Sequence, residues 1–388
     1  MESNAWFEVD LDKFEANVRG IQALIGPRTE MCAVMKADAC GHGMALLVAS
    51  AIALGVASIG IASNEEAEIV RHAGFRGRLL RVRAATPVEI EDGLQYRLEE
   101  IAGNLEYAHK MNEIAGRRGR SVRVHLELNS GGMSRNGFDL KAPEERRKAL
   151  AAAALAKLEV VGIMTHFPVC DVADVERGLA SFREEAGWIV ENAGLDRARV
   201  QLHCANSFAT LEVPGSHLDM VRTGAILYGC MPAYPAFQAI ASLKSRVASV
   251  NAYPAGNTVA YDRTLTLERD SRLANIPIGY ADGYRRAFSN KGFALIRGKR
   301  FPVVGRVTMN TLMVDVTACE AVFPGDEVVL CGRQGDGRID VADIEAISGT
   351  IYPDLCVGWG NSVSKIATRS GQPGTGDALP ASFQSPGR

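Results

Sequence analysis

The sequence predicts an α/β fold, a (β/α)8 TIM-like barrel followed by a C-terminal mainly β domain, and three observations carry that prediction. Through about residue 235, short β-rich runs alternate with longer helical patterns, the texture of a parallel sheet joined by crossover helices. After Tyr234 the helical patterns thin out and strand-like runs follow one another, punctuated by Gly and Pro. The chain of 388 residues is also too long for one small core. A doubly wound sheet is the alternative for the first part.

In chain order, Met31-Cys32-Ala33-Val34-Met35 is an apolar run that ends in Lys36, and Gly41-His42-Gly43 lets the backbone turn sharply into Met44 to Leu54. Further strand candidates are Ala57 to Ala62, Arg78 to Val82, Val122 to Leu128, Leu158 to Met164 and Val200 to His203, with a short piece at Met220 to Arg222. Helical patterns lie between them at Glu65 to His72, Leu105 to Ala115 and Glu144 to Ala156. The clearest runs from Val172 to about Asn192, where Val172, Val175, Leu179, Phe182, Ala186 and Ile189 recur three and four apart on one face. Leu243 to Ala252, Ser271 to Pro277, Phe293 to Ile296, Pro302 to Arg306, Leu312 to Val316 and Glu327 to Cys331 read as strands of the second domain. The expected divisions are 1–235 for the barrel, 236–370 for the β domain, and 371–388, rich in Gly, Pro and Ser, for a disordered tail.

Composition excludes several classes of function. Lys plus Arg total 43 against 45 Asp plus Glu, with no basic block, which argues against a nucleic acid partner. No apolar stretch reaches membrane-spanning length without charge. The start, Met1-Glu2-Ser3-Asn4-Ala5-Trp6, lacks a signal-peptide pattern, so the sequence as it stands reads as cytoplasmic, and periplasmic if a leader was removed. The eight cysteines contain no Cys-x-x-Cys pair, so neither a metal site nor a disulfide framework is expected, and reduced thiols are the plain reading.

Several strands end in a reactive group. Val122 to Leu128 is followed by Asn129-Ser130-Gly131-Gly132-Met133-Ser134-Arg135, Leu158 to Met164 by Thr165-His166, Val200 to Leu202 by His203-Cys204-Ala205-Asn206-Ser207, and Met220-Val221 by Arg222-Thr223-Gly224. In a barrel these ends share one rim, so Lys36, Arg135, His166, His203 and Arg222 are expected to face one pocket. Low dielectric there would favour the neutral amine of Lys36, a nucleophile and base. Ser207 opens a helix and Gly224-Ala225 a turn, which places a hydroxyl and backbone amides for a phosphate dianion. No Walker loop and no Gly-x-Gly-x-x-Gly follows a strand, which counts against nucleotides. A lysine with a phosphate cradle on a barrel suggests pyridoxal 5'-phosphate. Singly, each residue has an ordinary reading: Lys36 as a solvated strand-end charge, His166 and His203 as hydrogen-bonded core, Tyr261 as a half-buried strand tyrosine.

The ordered pieces Lys36-Ala37-Asp38-Ala39-x-Gly41-His42-Gly43, Gly132-Met133-Ser134-Arg135, Thr165-His166-Phe167, His203-x-Ala205-Asn206-Ser207, Tyr261, Gly279-Tyr280-Ala281-Asp282-Gly283 and Gly305-Arg306-Val307-x-Met309-Asn310 are present together. In this the chain resembles the alanine racemase family of barrel-type pyridoxal phosphate enzymes, from Trp6 to about Ala367. Asn129-Ser130, Asn206-Ser207-Phe208-Ala209-Thr210-Leu211 and Trp359-Gly360-Asn361-Ser362 resemble most its broad-specificity amino acid racemase branch.

The resemblance implies a racemase of several amino acids, basic ones among them, working as a homodimer. Lys36 would hold the cofactor and serve as one proton-transfer base, and Tyr261 of the partner subunit would serve the opposite face, helped by His166 and His203. Arg222 would face the pyridine nitrogen and leave it unprotonated. Asn206, Ser207, Gly224 and Ala225 would hold the phosphate. Arg135 and the amide of Met309 would orient the substrate carboxylate, with Tyr280 and Asn310 beside it, and Asp171, Arg286 and Arg306 would line the entrance. The alternatives are another pyridoxal phosphate reaction on this fold, of decarboxylase or aldolase type, or a non-catalytic carrier of the cofactor. Three departures from the family pattern stand out. Cys40 and Cys356 occupy places where the family has phosphate-side tyrosines, with Tyr352 near enough to supply a hydroxyl. Leu128 stands where many members have a lysine bracing the carboxylate-binding arginine, leaving Asn129 to help hold an anion. Cys32 matches a disulfide-bonded cysteine of periplasmic members, but the partner position reads Ser58, so Cys32 is expected free.

Overall fold

Nine short segments early in the chain form strands: β1 Ala5–Asp10, β2 Glu30–Val34, β3 Ser58–Ile61, β4 Arg78–Arg81, β5 Leu98–Ala102, β6 Val122–Glu127, β7 Leu158–Met164, β8 Gln201–His203 and β9 Met220–Thr223. They were obtained from a computed structural model that describes residues 4–369; the tail expected at 371–388 lies outside these. Two compact units result. One comprises Asn17–Ala39 and Leu47–Leu227, the other the described residues of Met1–Ala16, Cys40–Leu46 and Tyr228–Arg388.

In the first unit, eight parallel strands pair in the order β8-β7-β6-β5-β4-β3-β2-β9. Backbone hydrogen bonds from Asp219 N to Leu202 O (3.1 Å) and from Arg222 N to Ala205 O (2.9 Å) tie β9 to β8, so the sheet returns on itself as a barrel. The crossovers are helical because each has an apolar stripe to bury: Val175, Leu179, Phe182, Ala186 and Ile189 form the inner face of the helix Val172–Asn192. Asp171, expected at an entrance, is the exposed N-cap of that helix and accepts a hydrogen bond from Asp174 N (2.8 Å).

One barrel strand has no counterpart in the sequence expectations. The run Leu98-Glu99-Glu100-Ile101-Ala102 holds two carboxylates where a buried strand should be apolar, yet it is β5 and all of it is buried. The reason is pairing. Glu100 receives the fully buried Arg81 guanidinium (Nε to Oε2, 2.9 Å), and Arg81 also bonds Asn64 Oδ1 (2.6 Å) and Ala62 O (3.2 Å). Glu99 meets Arg78 and Arg123 at 2.8 and 2.6 Å. A buried charge is tolerated where it is paired and its remaining hydrogen-bonding capacity is met.

The second unit holds β10 Ala241–Arg246, β11 Ser249–Tyr253, β12 Ser271–Ile276, β13 Phe293–Ile296, β14 Lys299–Val304, β15 Leu312–Asp315, β16 Glu327–Gln334, β17 Gly337–Ile339 and β18 Ser364–Thr368. They pair in the order β11-β12-β15-β14-β13-β16-β10-β1-β18, with β17 on β16. The strand β1, counted with the barrel in the 1–235 division, belongs here: it runs antiparallel to β10, with Ala5 opposite Ser245, and parallel to β18, with Trp6 opposite Ser364. Its apolar residues Phe7 and Val9 are fully buried, so the strand is fixed by this core.

Among the described residues no disulfide forms. Cys32 lies opposite Ser58 across β2 and β3, and burial pushes its thiol up to about 12.

The buried ion pair sets the first prediction. Arg81→Ala leaves the Glu100 carboxylate without its cation, and a loss of about 3–5 kcal/mol is expected. Chemical denaturation of the variant beside the native protein measures it; a change under about 1 kcal/mol would contradict the pairing argument.

Candidate active site

The barrel unit carries its polar groups along one path. Arg222, at the C-terminal end of β9, is buried and its guanidinium is fixed on nearly every side. Its Nη1 donates to His203 Nδ1 (2.7 Å) and His203 O (3.0 Å), and its Nη2 to Thr165 O (2.8 Å), His166 Nδ1 (3.3 Å) and Cys204 O (3.4 Å). The Nε–H has no acceptor among the described residues, which leaves it for one from outside the chain.

These bonds fix the tautomers of the ring nitrogens. A guanidinium only donates, so His203 Nδ1 must accept and the imidazole proton sits on Nε2. That Nε2–H faces His125 Nδ1 at 2.8 Å, which places the His125 proton on Nε2, 3.0 Å from Glu99 Oε2. A directed chain therefore runs Arg222 to His203 to His125 to Glu99, and ends among Arg78, Arg123, Glu30 and Gln201. Burial and the Arg222 charge hold His203 well below the usual histidine range, and burial lowers His125. His166 is pushed down to about 3 by burial and by the charges of Arg222, Arg135 and Lys36. Glu99 is held at about 2: burial opposes ionisation, and the hydrogen bonds of His125 and Arg78 with the Arg78 charge outweigh it.

The barrel makes room for this chain at one residue. A Cβ on Gly162 of β7 would lie 2.0 Å from His125 Nδ1, and the β6/β7 register shifts between Val124 and His125. The same ring explains why His203 departs from expectation. Both its nitrogens are engaged and its side chain is fully buried, so it orients Arg222 and is not available to share a substrate proton.

Lys36 follows Met35 at the end of β2, and the chain then enters a left-handed turn. Ala37, Asp38, Ala39 and Cys40 have φ of 56°, 51°, 57° and 54°. Each such residue costs about 1–2 kcal/mol relative to the right-handed form, so the turn persists only if other bonds hold it. Lys36 is exposed in this chain, so the low dielectric expected around its amine is not supplied by the barrel unit.

Arg135 is presented by the loop after β6. Asn129 Oδ1 accepts from Ser134 N (2.8 Å), and Thr165 Oγ1 accepts from Gly131 N (3.1 Å) while donating to Leu128 O (2.8 Å). Asn129 thus spends its carbonyl on shaping the loop, and Leu128 is core. Arg135 bears on His166 electrostatically, as do Lys36 and Arg222, and Arg222 bonds His203, so all five residues expected at one rim are linked. Glu127, which the sequence reading missed, also belongs here. It is buried, accepts from Asn136 Nδ2 (2.6 Å), and its carboxyl is raised by burial against the opposing charges of Arg222 and Arg135. The available signal was an acid at the end of a strand, directly before the apolar Leu128.

The anion-suited residues also gather. Ser207 Oγ accepts from Gly224 N (3.1 Å) and Ile226 N (3.4 Å), while Asn206 caps the turn by accepting from Ala209 N (3.0 Å); Ala225 is half-buried between the two amides.

In the β unit, Tyr261 is 71% exposed. It follows Ala260, whose φ of 58° and ψ of −164° lie in a region nearly confined to glycine, and precedes Asp262 and Arg263, also at positive φ. Asp262 is anchored to Arg306 (3.2 Å) and Arg286 (3.6 Å), so both expected entrance arginines act on the loop that displays Tyr261. Tyr280 and Met309 are 44% and 54% exposed and share one rim, because Tyr280 N bonds Thr308 O (3.0 Å) and Ala281 N bonds Met309 O (2.9 Å); Asn310 is exposed beside them. A Cβ on Gly279 would lie 2.3 Å from Thr308 O, so this contact requires glycine.

Two residues expected at a phosphate do not qualify. Tyr352 and Cys356, one turn apart on the helix Tyr352–Ser362, are fully buried, and the Tyr352 hydroxyl accepts from Cys331 Sγ (3.7 Å). Both are core. Cys40 is half-buried and close enough to Cys356 and Cys230 to act on their ionisation.

Comparison with known proteins bears on both units. The profile described as the N-terminal domain of alanine racemase matches residues 9–232, and that of its C-terminal domain matches 240–367. A broad specificity amino-acid racemase of Pseudomonas taetrolens is 55% identical over 366 residues, covering 94% of this chain and 90% of that protein. A lysine racemase of Proteus mirabilis is 46% identical over 364 residues, covering 94% and 89%. Among solved structures, the alanine racemase of Clostridium difficile 630 in complex with cycloserine superposes with a TM-score of 0.87 at 26% identity, covering 96% of this chain and 97% of that one.

The Glu99 terminus of the polar chain gives a pH prediction. Its native carboxyl titrates at about 2, below the ordinary 4.5, so its contribution to stability is complete above pH 4.5 and is lost as pH falls from there through 2. That contribution is roughly 3 kcal/mol. Denaturation midpoints measured across this window should fall in the native protein and change much less in Glu99→Gln; parallel curves would refute the assignment.

Proposed function

This chain belongs to the alanine racemase family, and from that premise we propose that it is a pyridoxal 5'-phosphate dependent racemase of several amino acids, basic ones among them, acting as a homodimer. The observation that carries the reading is Arg222: a guanidinium fixed by His203, His166 and two backbone carbonyls, with one N–H left for an external acceptor beside Lys36 and Arg135. A pyridine nitrogen is such an acceptor. The Ser207 hydroxyl, with its oxygen already taken by two amides, keeps its proton to donate to a phosphate. The donor set fits the cofactor on which this family depends.

Bound there, pyridoxal 5'-phosphate supplies a conjugated ring that spreads the charge left on the α-carbon when its proton departs. The chain's own residues do the rest. Arg222 donates a hydrogen bond but keeps its proton, since guanidinium stays charged near neutrality. Arg135 pairs with the substrate carboxylate, and the amide of Met309 supports it. Lys36 Nζ takes or returns the α-proton on one face, and Tyr261 of the partner subunit does so on the other, the arrangement that inversion at carbon requires.

His166 supports the phenol. Its Nδ1 accepts from Arg222, so its proton sits on Nε2, and a ring held neutral down to about pH 3 offers that N–H to a phenolate at every working pH. The exposed Tyr261, Tyr280 and Met309 make an apolar rim on the β unit of the kind that a second copy covers. Retention of Tyr261 favours racemisation over decarboxylase- or aldolase-type chemistry, and over a cofactor carrier, which needs neither Tyr261 nor Arg135.

Two measurements test this. Incubation with single L-amino acids, including alanine, lysine and arginine, should yield the D-enantiomers, and Lys36→Ala should abolish both this and the visible absorbance of the cofactor-loaded protein. Tyr261→Ala should slow α-deuterium exchange on the order of 10²–10⁴-fold for one enantiomer while leaving the other much less affected. Equal loss for both enantiomers would contradict two bases on two faces.

A further inference from the structure

Glu66 does two jobs with one carboxylate. Its Oε2 accepts from Ala62 N (2.6 Å) and Ser63 N (3.3 Å), and its own amide bonds Ser63 Oγ (3.3 Å), which closes a capping box at the start of the helix Asn64–His72. Its Oε1 leaves that helix altogether and accepts from Ala37 N (2.6 Å) and Asp38 N (3.3 Å). A capping-box acid needs only the first set. The second set falls on the first two left-handed residues after Lys36, where a strained conformation needs bonds to hold it.

We infer that Glu66 is a positioning residue for Lys36: by gripping the Ala37 and Asp38 amides it maintains the left-handed turn and so fixes the direction in which the Lys36 amine leaves β2. The grip is charge-assisted and part-buried: Glu66 is 9% exposed, whereas Ala37 is exposed and Asp38 half-buried. It also ties the end of β2 to the end of β3, because Ala62 and Ser63 follow β3 directly. The other buried carboxylates among the described residues of the barrel unit do not substitute for it; Glu99, Glu100 and Glu127 are engaged with Arg78, Arg81 and Asn136.

This inference rests on the reading that Lys36 captures pyridoxal 5'-phosphate, its amine adding to the aldehyde carbon and water leaving as the C=N bond forms. The test compares Glu66→Gln with Ser63→Ala, which breaks the same helix cap without touching the turn. In cofactor-free protein, hydrogen exchange at the Ala37 and Asp38 amides should accelerate about tenfold or more in Glu66→Gln, the factor expected for a lost charge-assisted hydrogen bond, and stay unchanged in Ser63→Ala. On adding pyridoxal 5'-phosphate, capture at Lys36, read by borohydride trapping and peptide mapping, should fall by a similar factor in Glu66→Gln alone. Glu66→Asp, which keeps the charge, should recover part of both. Equal behaviour of Glu66→Gln and Ser63→Ala, in exchange or in capture, would overturn the inference and reduce Glu66 to a helix cap. Native protein that captures no cofactor at Lys36 would overturn the racemase reading, and the exchange result would then decide the grip by itself.

Discussion

A single buried cation organises the barrel. Arg222 cannot leave its place without leaving His203, His166 and the carbonyls of Thr165 and Cys204 unsatisfied, and His203 in turn fixes His125 and Glu99. Most barrels of this type fill their interior with layers of branched apolar side chains. Here an apolar patch of Cys32, Leu80 and Met220 coexists with a polar file that passes from one end of the strands towards the other. Each member donates in one direction, so the arrangement of protons is determined by the charge at its two ends. The arginine supplies the donor, the carboxylate supplies the final acceptor, and the imidazoles between them stay neutral.

The mouth of the barrel carries several positive groups beside one buried acid, Glu127. Lys36, Arg135 and Arg222 all raise the potential at His166, and the neighbouring Glu127 is buried and itself pushed towards its neutral form. A mouth of this sign attracts carboxylates and phosphates and holds them by hydrogen bonds that solvent weakens little. The rigid parts of the site stand on strands, whereas Arg135 and Tyr261 are on loops whose shape is set by Asn129 and by the pairing of Asp262 with two arginines. The division is a practical one: under the proposed reading the cofactor side would be oriented by the sheet, and the groups facing different substrates would stand on segments that can differ without disturbing it.

Much of this was legible in the residues themselves. The apolar runs before Lys36, His166 and His203 and the periodic helix from Val172 gave the alternation of a barrel, and the strand-end residues converged as that fold requires. Legibility failed where charge was internal. Glu99 and Glu100 hid β5 because their partners Arg78, Arg81 and Arg123 lie on neighbouring strands, and no local pattern records a cross-strand pair. Glu66 is hidden in the same way, because Ala37 and Asp38 lie far back in the chain, although Ser63 three residues before it is a visible capping signal; Glu127 instead pairs with Asn136, close in sequence. Tyr352 and Cys356 stand one turn apart on a helix, the spacing of a core face, and both are fully buried.

The placement of β1 reaches beyond the finished structure. Its neighbours β10 and β18 come from late in the chain, whereas the strands of the barrel lie within one continuous stretch apart from the excursion at Cys40–Leu46. During synthesis the barrel strands can therefore pair as they emerge, while Ala5–Asp10, with Trp6 and Phe7, must wait as an unpaired edge for most of translation. A segment made before the barrel finds its place after it. Until Ala241–Arg246 and Ser364–Thr368 have been made, the nascent chain carries this segment open to aggregation and to chaperone capture.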